Sequence, residues 1–155
     1  HPSHHGRSQT PQLQATGSAA PATVWSFVHD PQTAVLTGDG IVHGFTMPGT
    51  PRGGVGERQC FVHLLADGST HTHMIEVVEL DPGHRAVAID LPDGGTRMTT
   101  TVVGSHDRTM LTLQMVKSAP RSLYASEVTQ VTQYCDTYLL RVRQAIEGAS
   151  RGRDW

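Results

Sequence analysis

The run AVAIDLPDGGTRMTTTVVGSHDRTMLTLQMVK, residues 86 to 117, decides the fold class. Apolar and polar residues alternate through it in three stretches, 86–91, 97–103 and 110–117, which are separated by the turn compositions PDGG and GSHDRT. A period of two is the mark of a strand with one buried face. If PDGG joins residue 91 to 96, Ile89 faces Met98, Val87 faces Thr100, and Asp90 faces Arg97 as an exposed cross-strand ion pair. If GSHDRT joins 103 to 110, Val102 faces Leu111, Thr100 faces Leu113, and Met98 faces Met115. One apolar face then runs through Val87, Ile89, Leu91, Met98, Val102, Leu111, Leu113 and Met115. Thr99, Thr101, Thr112 and Gln114 collect on the other. Agreement across two hairpins specifies a register more strongly than alternation in any one strand.

Moving outward, strand-like stretches precede this run at 41–47, 57–65 and 71–80, divided by MPGTPRGGVG, ADGST and DPGHR. Such short Gly/Asp/Pro connections predict antiparallel neighbours, because a parallel pair needs a crossover of a dozen or more residues. After it, Ser122 to Glu147 contains no Pro or Gly and stops at Gly148. Tyr124, Val128, Val131, Cys135, Tyr138, Val142 and Ile146 recur there at steps of three and four, one stripe of a long amphipathic helix. Before the strands, Leu13 to Ala19 suits a short strand and Pro21 opens a helix through Trp25 and Phe27. The stretch 31–40 suits a second short helix or turn. Trp25 and Phe27 are expected as core against the sheet.

The expected class is therefore α+β: a curved six- to seven-stranded antiparallel sheet wrapped around a long C-terminal helix, with two short helices after the first strand. The 155 residues suit one domain, placed at 12–148, with a flexible leader at 1–11 and a flexible tail at 149–155. A net charge of −2 leaves no broad cationic surface for nucleic acid. No stretch approaches the roughly 18 to 20 apolar residues of a membrane helix. Cys60 and Cys135 form neither a CxxC pair nor a dense framework, so free buried thiols and a cytoplasmic location are expected. Aromatic residues make up only 5%, with three Phe in the whole chain. Met98, Thr100, Met115, Cys135 and Cys60 at or near inward positions are small or adaptable. A dry core at native density would use larger side chains, so a space between sheet and helix is expected.

In this element order the sequence resembles the START-like, helix-grip (SRPBCC) superfamily, which includes polyketide cyclase/dehydrases, Bet v 1-type proteins and lipid-transfer proteins. The residues that carry the resemblance are PATVWSFVHDP (Pro21–Pro31), PGTPRGGVGERQ (Pro48–Gln59), EVVELDPGHR (Glu76–Arg85) and the C-terminal helix. They are similar to the family's P-x-x-V-W first helix, G-x-V-G entry to the next strand and E-x-D-P turn, over roughly Leu13 to Gly148. The resemblance implies a deep apolar pocket but no single reaction, since members carry, sense, cyclise or hydrolyse apolar ligands.

Ten histidines invite a metal reading. Three lie in the leader, where the amine and ring of His1 suit copper, but nothing downstream offers a partner. His71 and His73 in HTHMIE share one strand face, yet Glu76 falls on the opposite face and Glu79 lies about 20 Å along the strand at 3.3 Å per residue. No metal or cofactor is therefore expected. No G-x-S-x-G elbow supports a nucleophile triad, and Cys135 on the helix stripe suits a pocket wall. Inward residues of 71–80 depend on the turn that follows. A four-residue turn brings in Met74, Glu76, Val78 and Leu80, with His63 across. A five-residue turn brings in Ile75 and Val77 with Cys60, Val62, Leu64 and His73, and is preferred because fewer charges face inward.

The expected ligand-binding wall is then Phe45, Cys60, Val62, His73, Ile75, Ile89, Met98, Thr100, Leu113 and Met115 from the strands. Val131, Cys135 and Tyr138 come from the helix, and His73, Tyr138 and Thr100 are its polar members. Three readings follow. A hydrophobic small molecule (polyketide, lipid or aromatic) is bound by a monomeric or homodimeric carrier or sensor. A cyclase/dehydrase-like enzyme instead uses pocket polar groups for proton transfer, which an inward His, Arg or Glu bonded to a Tyr would favour. A protein-interaction module with a collapsed core has no cavity above about 300 Å³.

Overall fold

A computed structural model describes residues 8–9, 13–105, 108–118 and 125–152. Its elements are β1 (Ser8–Gln9), β2 (Leu13–Gly17), α1 (Pro21–His29), a 3-10 turn (Pro31–Thr33) and α2 (Ala34–Thr37). There follow β3 (Ile41–Thr46), β4 (Arg58–Leu64), β5 (Thr70–Asp81), β6 (Arg85–Leu91), β7 (Thr96–Ser105), β8 (Arg108–Lys117) and α3 (Ala125–Gly152). All pairs are antiparallel, in the order β1-β8-β7-β6-β5-β4-β3, and β2 also pairs with β8. This is the helix-grip architecture: a curled sheet, two short helices and one long terminal helix.

Pro21 stands at the start of α1, where its missing N–H has no intrahelical partner. The Asp30 carboxylate accepts the Gln32 amide at 3.0 Å, and the Thr33 hydroxyl donates to the carbonyls of Phe27 and Asp30 at 2.8 Å each. These bonds fold the chain sharply from α1 into α2. Helix α3 continues through Gly148 to Gly152 instead of stopping at the glycine. A helical glycine costs about 1 kcal/mol against alanine, which a long helix already docked on the sheet tolerates. The expected helix start at Ser122 and the stripe residue Tyr124 lie outside the described residues, as do the leader histidines His1, His4 and His5. No helix among the described residues is long and apolar enough to cross a membrane.

The β7–β8 register is the expected one, with Met98 opposite Met115, Thr100 opposite Leu113 and Val102 opposite Leu111. The β6–β7 register is shifted by one residue. Ile89 faces Arg97 and Ala88 faces Met98. The connecting turn closes through the Gly94 amide on the Asp90 carbonyl at 2.7 Å, one residue tighter than a PDGG turn that joins 91 to 96. One residue of slip reverses every side chain of a strand. Ala86 and Ala88 therefore share the inner face with Met98 and Thr100, while Val87 and Ile89 turn outward. The expected Asp90–Arg97 pair is replaced by Arg97 and Arg85 on Glu79. Glu79 lies opposite Val87, so this ion cluster covers the fully buried valine on the outer face.

Among the described residues the large packed cluster lies against β7 and β8. Val24 of α1, Val102, Leu111 and Leu113 of β7–β8, and Cys135, Leu139 and Val142 of α3 form one buried cluster, with Trp25 and Phe27 packed against it. The other half of the sheet, β3 to β6, is not filled in this way.

Candidate functional site

Two adjoining compartments occupy the unfilled half. The first, about 150 Å³, lies between Tyr134 and Tyr138 of α3 and a wall of Phe61, His73, Ile75, Ala88, Met98, Thr100 and Leu113. The second, about 290 Å³, lies between α1 and the β3–β4 connection and is bounded by Trp25, Gly53, Glu57 and Leu80. They share His29, Asp30, Pro31, Gln59, Val77 and Ala86. The second alone is close to the roughly 300 Å³ at which small-molecule sites begin, and the shared wall sets the first beside it, which is more space than a collapsed core leaves. The space exists because the β6 side chains on this face are two alanines.

The polar groups of the wall are held in different ways. Gln59 donates through Nε2 to the His29 carbonyl at 3.1 Å and to Glu57 Oε2 at 3.2 Å. The buried Glu57 also accepts the Thr46 hydroxyl at 2.7 Å and the Gly53 amide at 2.8 Å, which ties the long glycine-rich connection to the sheet. His29 ends α1 with its ring stacked on Trp25, centroids 3.9 Å apart, and burial pulls its pKa down to about 4 against the opposing pull of Glu57. It is neutral at pH 7. His73 is also depressed, by burial first and then by neighbouring His63, and the two rings bond Nε2 to Nδ1 at 2.9 Å. Burial raises both tyrosines, Tyr138 furthest. Among the described residues no hydrogen bond joins either tyrosine to a histidine, arginine or glutamate.

Of the residues expected in the wall, His73, Ile75, Met98, Thr100, Leu113 and Tyr138 line the first compartment. Met115, Val131 and Cys135 belong to the packed cluster beside it, with the Cys135 thiol 3.5 Å from the Met115 sulfur. Phe45, Cys60, Val62 and Ile89 lie on the outer face. Gln59, Phe61 and His63 stand opposite Ile75, His73 and His71, so Cys60 pairs outward with Phe45 and Met74. The inner set is thus a mixture of the two registers considered: Ile75, Val77 and His73 from one, His63 and Leu80 from the other. A bulge in β5 between Val77 and Glu79 lets the strand change phase on the way to the turn. His63, His71 and His73 do share a face, but among the described residues no three groups converge to hold a metal.

Sequence reasoning missed His29, Gln59, Phe61, Tyr134 and the two alanines. His29 carried one usable signal, a polar residue at the end of an otherwise apolar first helix. Tyr134 sits one position from the Cys135 stripe and is still 49% exposed, so it reads as surface.

No protein-family model matches the chain, and no curated protein matches its sequence. Solved structures do. The di-domain ARO/CYC StfQ of the steffimycin biosynthetic pathway superposes with a TM-score of 0.69 at 12% identity, over 94% of this chain and 52% of that one. Ara h 8.0201 superposes with a TM-score of 0.68 at 15% identity, over 92% of this chain and 99% of that one. DynU16, from the dynemicin biosynthetic locus, does so with a TM-score of 0.64 at 21% identity, over 90% of this chain and 47% of that one. The chain thus shares the helix-grip fold of these structures. It spans about half the length of StfQ and of DynU16.

Proposed function

We propose that the protein binds a hydrophobic small molecule (polyketide, lipid or aromatic) between the sheet and α3, as a carrier or sensor. The observation that carries this reading is the asymmetry of the interior. Packed side chains fill much of the β7–β8 half, while Ala86 and Ala88 of β6 leave room beneath Tyr134 and Tyr138. An apolar space with a few fixed polar groups is the usual form of a small-molecule site. The likeness to an ARO/CYC protein of the steffimycin biosynthetic pathway and to a protein of the dynemicin biosynthetic locus favours a biosynthetic small molecule within that class. Two buried free thiols accord with a reducing cytoplasm.

A cyclase/dehydrase-like activity is the second reading, favoured by the neutral His73 at the cavity wall with His63 behind it as a proton partner. The carrier or sensor reading stands first because no tyrosine is paired with an acid or base among the described residues. Native mass spectrometry of protein from its own source, with titration of a fluorescent lipid probe, tests the site. A retained apolar mass or saturable uptake is expected, and absence of both overturns it.

A further inference from the structure

We propose that the Tyr138 hydroxyl is the hydrogen-bond donor that selects the ligand. The apolar molecule it takes carries a neutral acceptor oxygen, a ketone or an ester, and lies in the first compartment beneath α3. This rests on the reading of the cavity as a hydrophobic-ligand site and names the chemistry that site selects.

Helical spacing puts Tyr138 on the inward stripe of α3, three residues after Cys135 and four before Val142. Its ring packs against the buried cluster and lines the first compartment. A phenylalanine would fill that position and bring no polar atom to a wall of Ile75, Ala88, Met98 and Leu113. The O–H of a buried tyrosine usually finds a hydrogen-bond partner. Here the hydroxyl has none among the described residues. It is not sealed in either. Among the described residues, Nδ1 of His29 is the one fully enclosed side-chain nitrogen or oxygen that lacks a partner, so the Tyr138 oxygen keeps some surface open. That opening is internal, because burial raises the Tyr138 pKa, and further than that of Tyr134. The internal space that Tyr138 borders is the first compartment.

The same burial keeps the phenol protonated, so a ligand meets it as a neutral O–H. A buried donor left unmade costs more than a neutral hydrogen bond gains. A hydrocarbon that covers the hydroxyl therefore forfeits affinity. A ketone or ester oxygen completes the donor and brings no donor of its own. No lysine or arginine lines the first compartment, and Asp30 does, so no cation there offsets the desolvation of an ionised carboxylate. Arg52 borders the second compartment instead.

The test uses the full chain at pH 7 and two naphthalenes of closely similar shape, 2-acetylnaphthalene and 2-isopropenylnaphthalene, which differ by C=O against C=CH2. Equilibrium dialysis gives both dissociation constants for the wild type and for Tyr138→Phe, which keeps the ring and removes only the oxygen. Comparing the ratio of the two constants between the proteins cancels the difference in their solubility in water. The ketone is expected to lose about 5-fold in affinity in Tyr138→Phe, while the alkene binds as well or better. The carbonyl stretch of the bound ketone, read by infrared spectroscopy, is expected to move to higher frequency in the variant as the bond is lost. Tyr138→Leu repeats the comparison if the phenylalanine variant does not fold. An unchanged ratio overturns the donor but leaves the cavity intact. Loss of the ketone preference in Tyr134→Phe, with Tyr138→Phe unaffected, does the same. Failure of both compounds to bind the wild type overturns the cavity reading as well.

Discussion

His63 and His73 are joined across β4 and β5 by a hydrogen bond from ring to ring, Nε2 to Nδ1, at 2.9 Å. One of the two nitrogens carries the proton and the other accepts it, so the contact requires that not both rings be charged. The face of His73 lies against Phe61, with centroids 5.3 Å apart, and both line the first compartment, with His63 beside them on the same face of β4.

Acidification should weaken the fold through His29 and His73. Both His29 and His73 are depressed by burial, so the unfolded chain binds protons that the folded chain refuses. Their contribution is complete above the unfolded value near 6.5 and is lost as pH falls toward about 4 for His29. For His29 the loss is on the order of 3 kcal/mol. Thermal unfolding followed by circular dichroism should show the midpoint falling from pH 7 to pH 4.5, with a shallower slope in His29→Phe. Identical slopes for the two proteins would remove His29 as the cause.

Filling the cavity from the sheet should abolish ligand uptake without unfolding the protein. Ala88→Ile places a β-branched side chain at an inward position of β6 beside Met98, in the space beneath α3. The expected outcome is loss of lipid-probe binding with an unfolding midpoint equal to or above that of the wild type. Undiminished uptake would put the ligand elsewhere.

Glu57 should be worth more than a surface acid. It is buried and accepts from Thr46, Gly53 and Gln59. Glu57→Ala leaves those donors without a partner and should destabilise by roughly 2–3 kcal/mol in urea unfolding, with Glu57→Gln costing less. Hydrogen exchange at Gly53 should quicken in the alanine variant. A change under about 0.5 kcal/mol would mean that the glycine-rich connection holds itself.

Neither cysteine should react in the folded protein. Burial raises both thiols, Cys135 to about 11, and both residues are almost fully enclosed. An aromatic disulfide reagent at pH 8 should therefore titrate no thiol natively and both in urea. Prompt native labelling of Cys135 would show that α3 opens from the sheet.

Most of the architecture was legible in the chain because it rests on periodicity. The β7–β8 hairpin carries Val102, Leu111 and Leu113 on one face whatever lies around it, and the α3 stripe through Cys135 and Val142 is set by helical spacing. The wall of the site was legible only in part. His73, Ile75, Met98, Thr100, Leu113 and Tyr138 line the first compartment, as alternation expects of inward positions. Phe45, Cys60, Val62 and Ile89 do not line it, because turn composition does not fix loop length to one residue and one residue reverses a strand.

By itself, then, the sequence determined a strand-rich chain with a long amphipathic helix and too few aromatic rings to fill the space between them. Tertiary structure decided where that space lies. The Asp90–Gly94 turn put Ala86 and Ala88 inward, and the fold from α1 into α2 carried His29 to the junction of the two compartments. The physical reason is range. Periodicity is written in neighbours three or four residues apart, whereas a cavity is the joint result of registers on several strands and of a helix end that meets them from far away in the chain.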